Sequence, residues 1–249
     1  MLKKIFPALI LGIGILVSSC KKKLDDFTSP SLAEYYPLQL GKYITYQLDS
    51  TVFLAFGVRD TIIKYQVQDR VDAQITDNNG KPAYRIIRFI RKNANQAWSP
   101  AGSTFMVVPS DNSVEFIEDN LKYIKLKRPV TEGFTWKGNA YIDASSINSE
   151  VRYLDDWDYT YDSLNIPLQL GNVVIDSTIT VSQRDEFLGQ DPKLPGTQYA
   201  EKNYGVEKYA KGIGLVFKEF IHWEYQGAHP PVDATYTGYG VKLSIIDHN

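Results

Sequence analysis

From residue 35 onward the chain alternates apolar and polar positions with a period of two, the repeat of a half-buried β-strand. In "NVVIDSTITVS" the alternation sets Val173, Ile175, Ile179 and Val181 on one face and Val174, Asp176, Thr178, Thr180 and Ser182 on the other. "TIIKYQVQDRV" repeats the pattern, with Ile63, Tyr65, Val67 and Val71 against Lys64, Gln66, Gln68 and Arg70. Turn-forming residues separate such runs: "DNNGK" at 77–81, "SDNS" at 110–113 and "DN" at 119–120, the last joining "VEFIE" to "LKYIKLK". Residues 104–127 therefore read as a three-stranded meander.

No long segment carries the apolar stripe of a helix, and seventeen tyrosines with many threonines favour sheet. The expectation is an all-β fold in a single domain over 35–249, either an antiparallel sandwich or a curved open barrel. One short helical turn is expected within "VSQRDEFLGQDPK", whose charges and proline otherwise indicate a long loop. "PLQLG" occurs at 37–41 and again at 167–171. Its flanks share little, so two independent turns explain it better than duplication, which repeat architectures announce with three or more copies.

The pattern changes before residue 35. Lys3 and Lys4, the run "IFPALILGIGILV" and the small residues Ser18 and Ser19 compose a secretory signal peptide over 1–19. The apolar run is about 13 residues, short of the roughly 20 that span a bilayer as a helix. Cys20 is the only cysteine, and "VSSC" resembles the bacterial lipobox, whose cysteine is diacylated and becomes the mature N-terminus. Anchoring by several acyl chains is durable where one chain binds only reversibly. Residues 20–34, "CKKKLDDFTSPSLAE", read as a lipid-anchored tether. Without a second cysteine, no disulfide can staple the body, and its stability must come from a buried core.

The full chain's formal charge is −2, and losing Lys3 and Lys4 leaves the mature body mildly acidic. With no basic stripe, nucleic acid is not an expected partner; the membrane, reached through Cys20, is. "KKK" at 21–23 suits anionic headgroups or a solvated tether equally. Lys21 after the cysteine resembles sorting to the outer membrane in diderm bacteria, and the periplasmic or cell-surface face stays undetermined. "YYPLQLGKYITYQLDS" resembles the start of uncharacterised Bacteroidetes outer-membrane lipoproteins, with Ile44 or Thr45 where tryptophan is usual. "KYAKGIGLVFKEF" at 208–220 resembles their C-terminal hairpin. The resemblance implies a β-rich domain on a lipid anchor and brings no catalytic residues with it.

Chemistry is sparse. His222, His229 and His248 do not have metal-ligand spacing. In "FKEFIHWEY" the alternation groups Lys218, Phe220, His222 and Glu224, so His222 is expected as an exposed strand residue among polar neighbours. "AGSTF" lacks the second glycine of a nucleophile elbow, and "GIG" lacks the third glycine of a phosphate loop. No catalytic residue, metal site or cofactor is expected. The one suggestive strip is "YLDDWDYTYDS" at 153–163, in which Trp157 and Tyr159 with Asp155 and Asp158 are candidate ligand contacts. Aromatic faces beside carboxylates suit a glycan or, less well, calcium. A strand with its rings inward and its acids in solvent explains the same alternation. The leading reading is a non-enzymatic, lipid-anchored binding or structural module of the envelope, with a glycan or an envelope protein as partner. A glycan-processing enzyme, and a carrier of lipid or lipoprotein in a curved-sheet cavity, stay open beside it.

Overall fold

The computed structural model describes residues 29–171 and 173–249; the expected signal peptide, Cys20 and the expected tether up to residue 28 lie outside the described residues. The strands are β1 (Tyr43–Leu54), β2 (Arg59–Thr76), β3 (Pro82–Arg91), β4 (Ser99–Pro109), β5 (Ser113–Glu118) and β6 (Leu121–Lys127), then β7 (Thr135–Lys137), β8 (Asp158–Leu170), β9 (Val173–Gly189), β10 (Tyr199–Ala210), β11 (Gly214–Gln226) and β12 (Thr235–His248). They form one antiparallel sheet in the order β6-β5-β4-β3-β2-β1-β12-β11-β10-β9-β8-β7. Two six-stranded meanders thus meet where the first strand pairs with the last. The two edges, β6 and β7, approach each other. Ile124 N–H donates to Gly138 O at 2.8 Å, and the Trp136 indole donates to Ile124 O at 2.8 Å. The all-β expectation holds in its barrel form, a single sheet nearly closed on itself.

Local sequence explains most of the connections. The "DN" turn places Asp119 and Asn120 at φ 50° and 62°, the left-handed pair that a two-residue hairpin needs and that asparagine and aspartate tolerate. The expected meander is present as β4, β5 and β6. "VSQRDEFLGQDPK" forms no helical turn; its first nine residues extend β9 to Gly189. Strand β9 also breaks the simple alternation. Ser177 has φ 56° beside register irregularities against β8, and this bulge lets Thr178, Ile179, Thr180 and Val181 all be buried. Val173, expected on the inner face, is 53% exposed where the strand overshoots the barrel.

The two "PLQLG" copies occupy unlike places. The first precedes β1, the opening strand of its meander; the second ends β8, the second strand of its own, with Gly171 in the β8–β9 turn. They are independent turns. Part of the expected tether is folded. Ser31 caps the four-residue helix α1 (Leu32–Tyr35), accepting from Ala33 N–H while Glu34 accepts from Ser31 N–H, a capping box already written in "SLAE". Leu32 and Tyr35 are buried. Glu34 O accepts from Gly212 N–H in the β10–β11 turn, so α1 closes that end of the barrel. The long β7–β8 connection, with a 3-10 turn at Arg152–Leu154, folds over the other end and buries Leu154 and Trp157.

Candidate functional site: a charged belt in the barrel lumen

Inward-facing positions of β2, β3, β5, β6, β10 and β11 bring charged side chains into the lumen. Arg88 on β3 donates to both carboxylate oxygens of Asp69 on β2, at 2.6 and 2.7 Å, the bidentate geometry that makes such pairs specific. Lys125 on β6 meets Glu207 on β10 at 2.7 Å, and the Tyr209 hydroxyl donates to Glu207 at 2.6 Å. Lys125 is 6% and Glu207 1% exposed. Lys218 on β11 stands 3.9 Å from Glu118 on β5.

Burial pushes the pKa of Glu207 up, but Lys125, Lys218 and the two hydrogen bonds outweigh it and hold the carboxyl below its usual value. Burial also lowers Lys125, since one carboxylate does not replace its lost water and Lys218 adds repulsion. At Arg88 the charge and hydrogen bonds of Asp69 overcome desolvation and raise its already high value.

The belt divides the lumen. On the α1 side lies a cavity of about 70 Å³, lined mostly by apolar groups such as Tyr46, Ile86, Phe116 and Leu215. On the opposite side is a larger chamber of about 340 Å³, within the size range of small-molecule sites. Its wall includes Glu118, Lys125, Lys218 and Gln183, with the rings of Tyr123, Tyr159, Phe220 and Tyr239. The rings pack on one another: Phe220 stacks with Trp157 at 5.7 Å and with Tyr239 at 5.4 Å. At the mouth the hydroxyls of Tyr153 and Tyr239 are 3.2 Å apart. Gln183 is 4% exposed, and its Nε2 has no hydrogen-bond partner.

The four residues singled out in the sequence do not converge. Trp157 is 1% exposed, its indole donating to Tyr153 O at 2.6 Å, so it offers no open face for stacking. Tyr159 is equally buried, its hydroxyl donating to Asn139 Oδ1 at 3.0 Å; it does reach the wall of the large chamber. Asp155 and Asp158 are exposed on the outside, and Asp158 pairs with Lys137 at 2.9 Å. Among the described residues no group of three or more His, Cys, Asp or Glu is placed to hold a metal.

His222 differs from its expectation. It is 8% exposed, stacked on Tyr153 at 3.8 Å, and its Nδ1 donates to Asn203 Oδ1 at 2.8 Å. Desolvation lowers its pKa against a smaller raising effect of Glu201. The physical reason is that the Lys218–Phe220–His222 face of β11 points into the barrel. The belt residues escaped sequence reasoning for the same reason. The available signal was that both faces of "FKEFIHWEY" carry large rings, so polarity alone could not choose the inner one.

No family model matches the chain, and no curated protein sequence matches it. Among solved structures it is similar to a protein from Bacteroides fragilis, provisionally described as exported and with a YmcC-like fold: TM-score 0.37, 11% identity, over 86% of this chain and 99% of that one. A protein from Parabacteroides distasonis, provisionally described as a lipoprotein, gives TM-score 0.28 at 12% identity, over 85% of this chain and 98% of that one. A DUF1329 family protein from Desulfovibrio piger gives 0.20 at 13% identity, over 89% and 93%. Scores this low carry no argument about function.

Proposed function

We propose that the chain is a lipid-anchored protein of the cell envelope, held at the outer membrane through Cys20, whose barrel is a non-enzymatic binding module with its ligand seat in the larger lumen chamber. The anchor rests on "VSSC" directly after the signal-like run. The binding role rests on one observation: a chamber of about 340 Å³ whose mixed wall carries several polar groups, one of which, Gln183, has a buried side-chain nitrogen without a partner. Buried polar groups are ordinarily satisfied, so an orphan calls for an explanation, and a bound ligand supplies one. Binding is favoured over hydrolysis because Asp69 and Glu207 are each held by a cation and Glu118, the belt carboxylate in the chamber wall, faces the Lys218 ammonium. It is favoured over lipid carriage because the apolar cavity, about 70 Å³, is less than half of the about 150 Å³ that accepts benzene.

The test uses wild type, Cys20→Ala and Ser50→Trp expressed in a diderm bacterium, Ser50 lining the large chamber. Wild type should partition with outer membranes and carry an acylated N-terminus, and Cys20→Ala should be released. After incubation with a small-molecule extract of the envelope, native mass spectrometry should detect a bound species on wild type and none on Ser50→Trp. An unmodified mature N-terminus refutes the anchor; no bound species on wild type refutes the module.

A further inference from the structure

We infer that the ligand of the large chamber is a neutral, polyhydroxylated molecule, a short saccharide, recognised through hydrogen bonds to Gln183, Lys218 and Glu118. This rests on the lumen being the ligand seat, as proposed above, and adds the chemical class.

Charge comes first. Arg88, Lys125 and Lys218 face Asp69, Glu207 and Glu118, so the belt is balanced. At the two hydrogen-bonded pairs, Arg88–Asp69 and Lys125–Glu207, an anion would have to displace a carboxylate from its cation, and a cation the reverse, each leaving a buried charge without its partner. A neutral ligand disturbs neither pair.

Hydrogen bonding then narrows the class. The Lys218 Nζ to Glu118 Oε2 separation of 3.9 Å is too long for a hydrogen bond, so these groups attract through space while each keeps bonding capacity. A hydroxyl between them can accept from the ammonium and donate to the carboxylate from one atom. Gln183, also in the chamber wall, adds a buried amide whose Nε2 has no hydrogen-bond partner. A ligand bearing several hydroxyls meets both demands at once; an aliphatic chain meets neither.

The rings do not act as a stacking platform. Phe220 is stacked with both Trp157 and Tyr239, and Tyr153 is stacked on His222. They give the chamber a rigid wall and present phenol hydroxyls at its mouth.

The experiment titrates the mature protein, by calorimetry and saturation-transfer NMR, with cellobiose, maltose and N,N′-diacetylchitobiose, and in parallel with galacturonate and decanoate. At least one neutral disaccharide should bind with a millimolar or tighter Kd, be excluded by Ser50→Trp, and weaken at least tenfold in both Gln183→Met and Lys218→Met. Thermal melts confirm that the variants fold, and if one does not, the other decides. Equal affinity in wild type and the folded variants overturns the inference. Preferential binding of galacturonate or decanoate, blocked by Ser50→Trp, overturns the saccharide class and leaves the lumen seat standing. No binding by any probe overturns the saccharide inference, and if the envelope extract also yields no bound species, the seat falls with it.

Discussion

Strands β8 and β11 carry the same kind of text and fold it in opposite senses. "WDYTYD" in and before β8 alternates rings with acids, and "FKEFIHWEY" in β11 alternates rings with charged residues on both faces. In β8 the rings of Trp157, Tyr159 and Tyr161 point inward and the acids face water. In β11 Lys218 and His222 point inward with Phe220, while Trp223 packs outside against Phe187 and Tyr236. Period two decides which residues share a face; it does not decide which face is inside. That choice belongs to partners far away in sequence. The β8 rings find hydrogen-bond acceptors, as with the Tyr161 hydroxyl donating to Lys127 O at 2.7 Å, and Tyr159 and Tyr161 pack on Trp136. The charges of β11 join a belt whose other members come from β2, β3, β5, β6 and β10.

The largest effect should come from exchanging the two tryptophans' surroundings by truncation. Trp157→Ala removes a fully buried ring from β8's approach and should cost about 3–5 kcal/mol. Trp223→Ala removes a half-buried ring from the outer wall and should cost clearly less. Denaturant unfolding of both variants checks the comparison. Equal losses would mean that β11 does not present its charged face inward.

A smaller but still large effect is expected within the belt. Glu207→Ala leaves Lys125 buried beside Tyr209 with no carboxylate, and breaking a buried pair costs about 3 kcal/mol or more. The double variant Lys125→Met/Glu207→Leu should recover most of that loss, because apolar replacements remove both desolvation penalties together. The recovery, read from denaturant midpoints, separates a charge kept for its role in the lumen from one required for folding. If the double variant is as damaged as the single, the belt is structural.

How much of this was legible follows the same division. Strands, hairpin turns and the inward rings of 157–161 are local, so alternation and "DN" or "NNG" chemistry exposed them. Helix α1 was legible too, in the S-x-x-E box of "SLAE", but its short length hid it within a polar segment. The belt was not. Lys125 and Glu207 are separated by 82 positions, and Asp69 and Arg88 are joined across a hairpin of ordinary polar appearance. A charge whose partner is remote looks, in sequence, like a charge in solvent. Of the four residues chosen as ligand contacts, Tyr159 alone lines the chamber.

The smallest effect tests the inner faces by pH. Above about pH 5 and below 8, β8's inner face has nothing to titrate, since burial raises the Tyr159 phenol far above its ordinary value. The inner face of β11 has His222, whose folded pKa lies below the ordinary 6.5. The unfolded chain therefore binds the proton more readily than the folded one, so stability rises with pH through this window. It is present in full above about 6.5 and is lost as pH falls from there toward the folded value. The acid loss tied to Glu207 has the same sign but begins lower, below the ordinary 4.5 of a glutamate, so the two do not overlap. Unfolding curves at several pH values from about 7.5 to 5.5 should show wild type weakening, and His222→Gln should flatten the slope. Because glutamine does not titrate there, a persistent slope in the variant would place the responsible group elsewhere and remove the titrating member from β11's inner face.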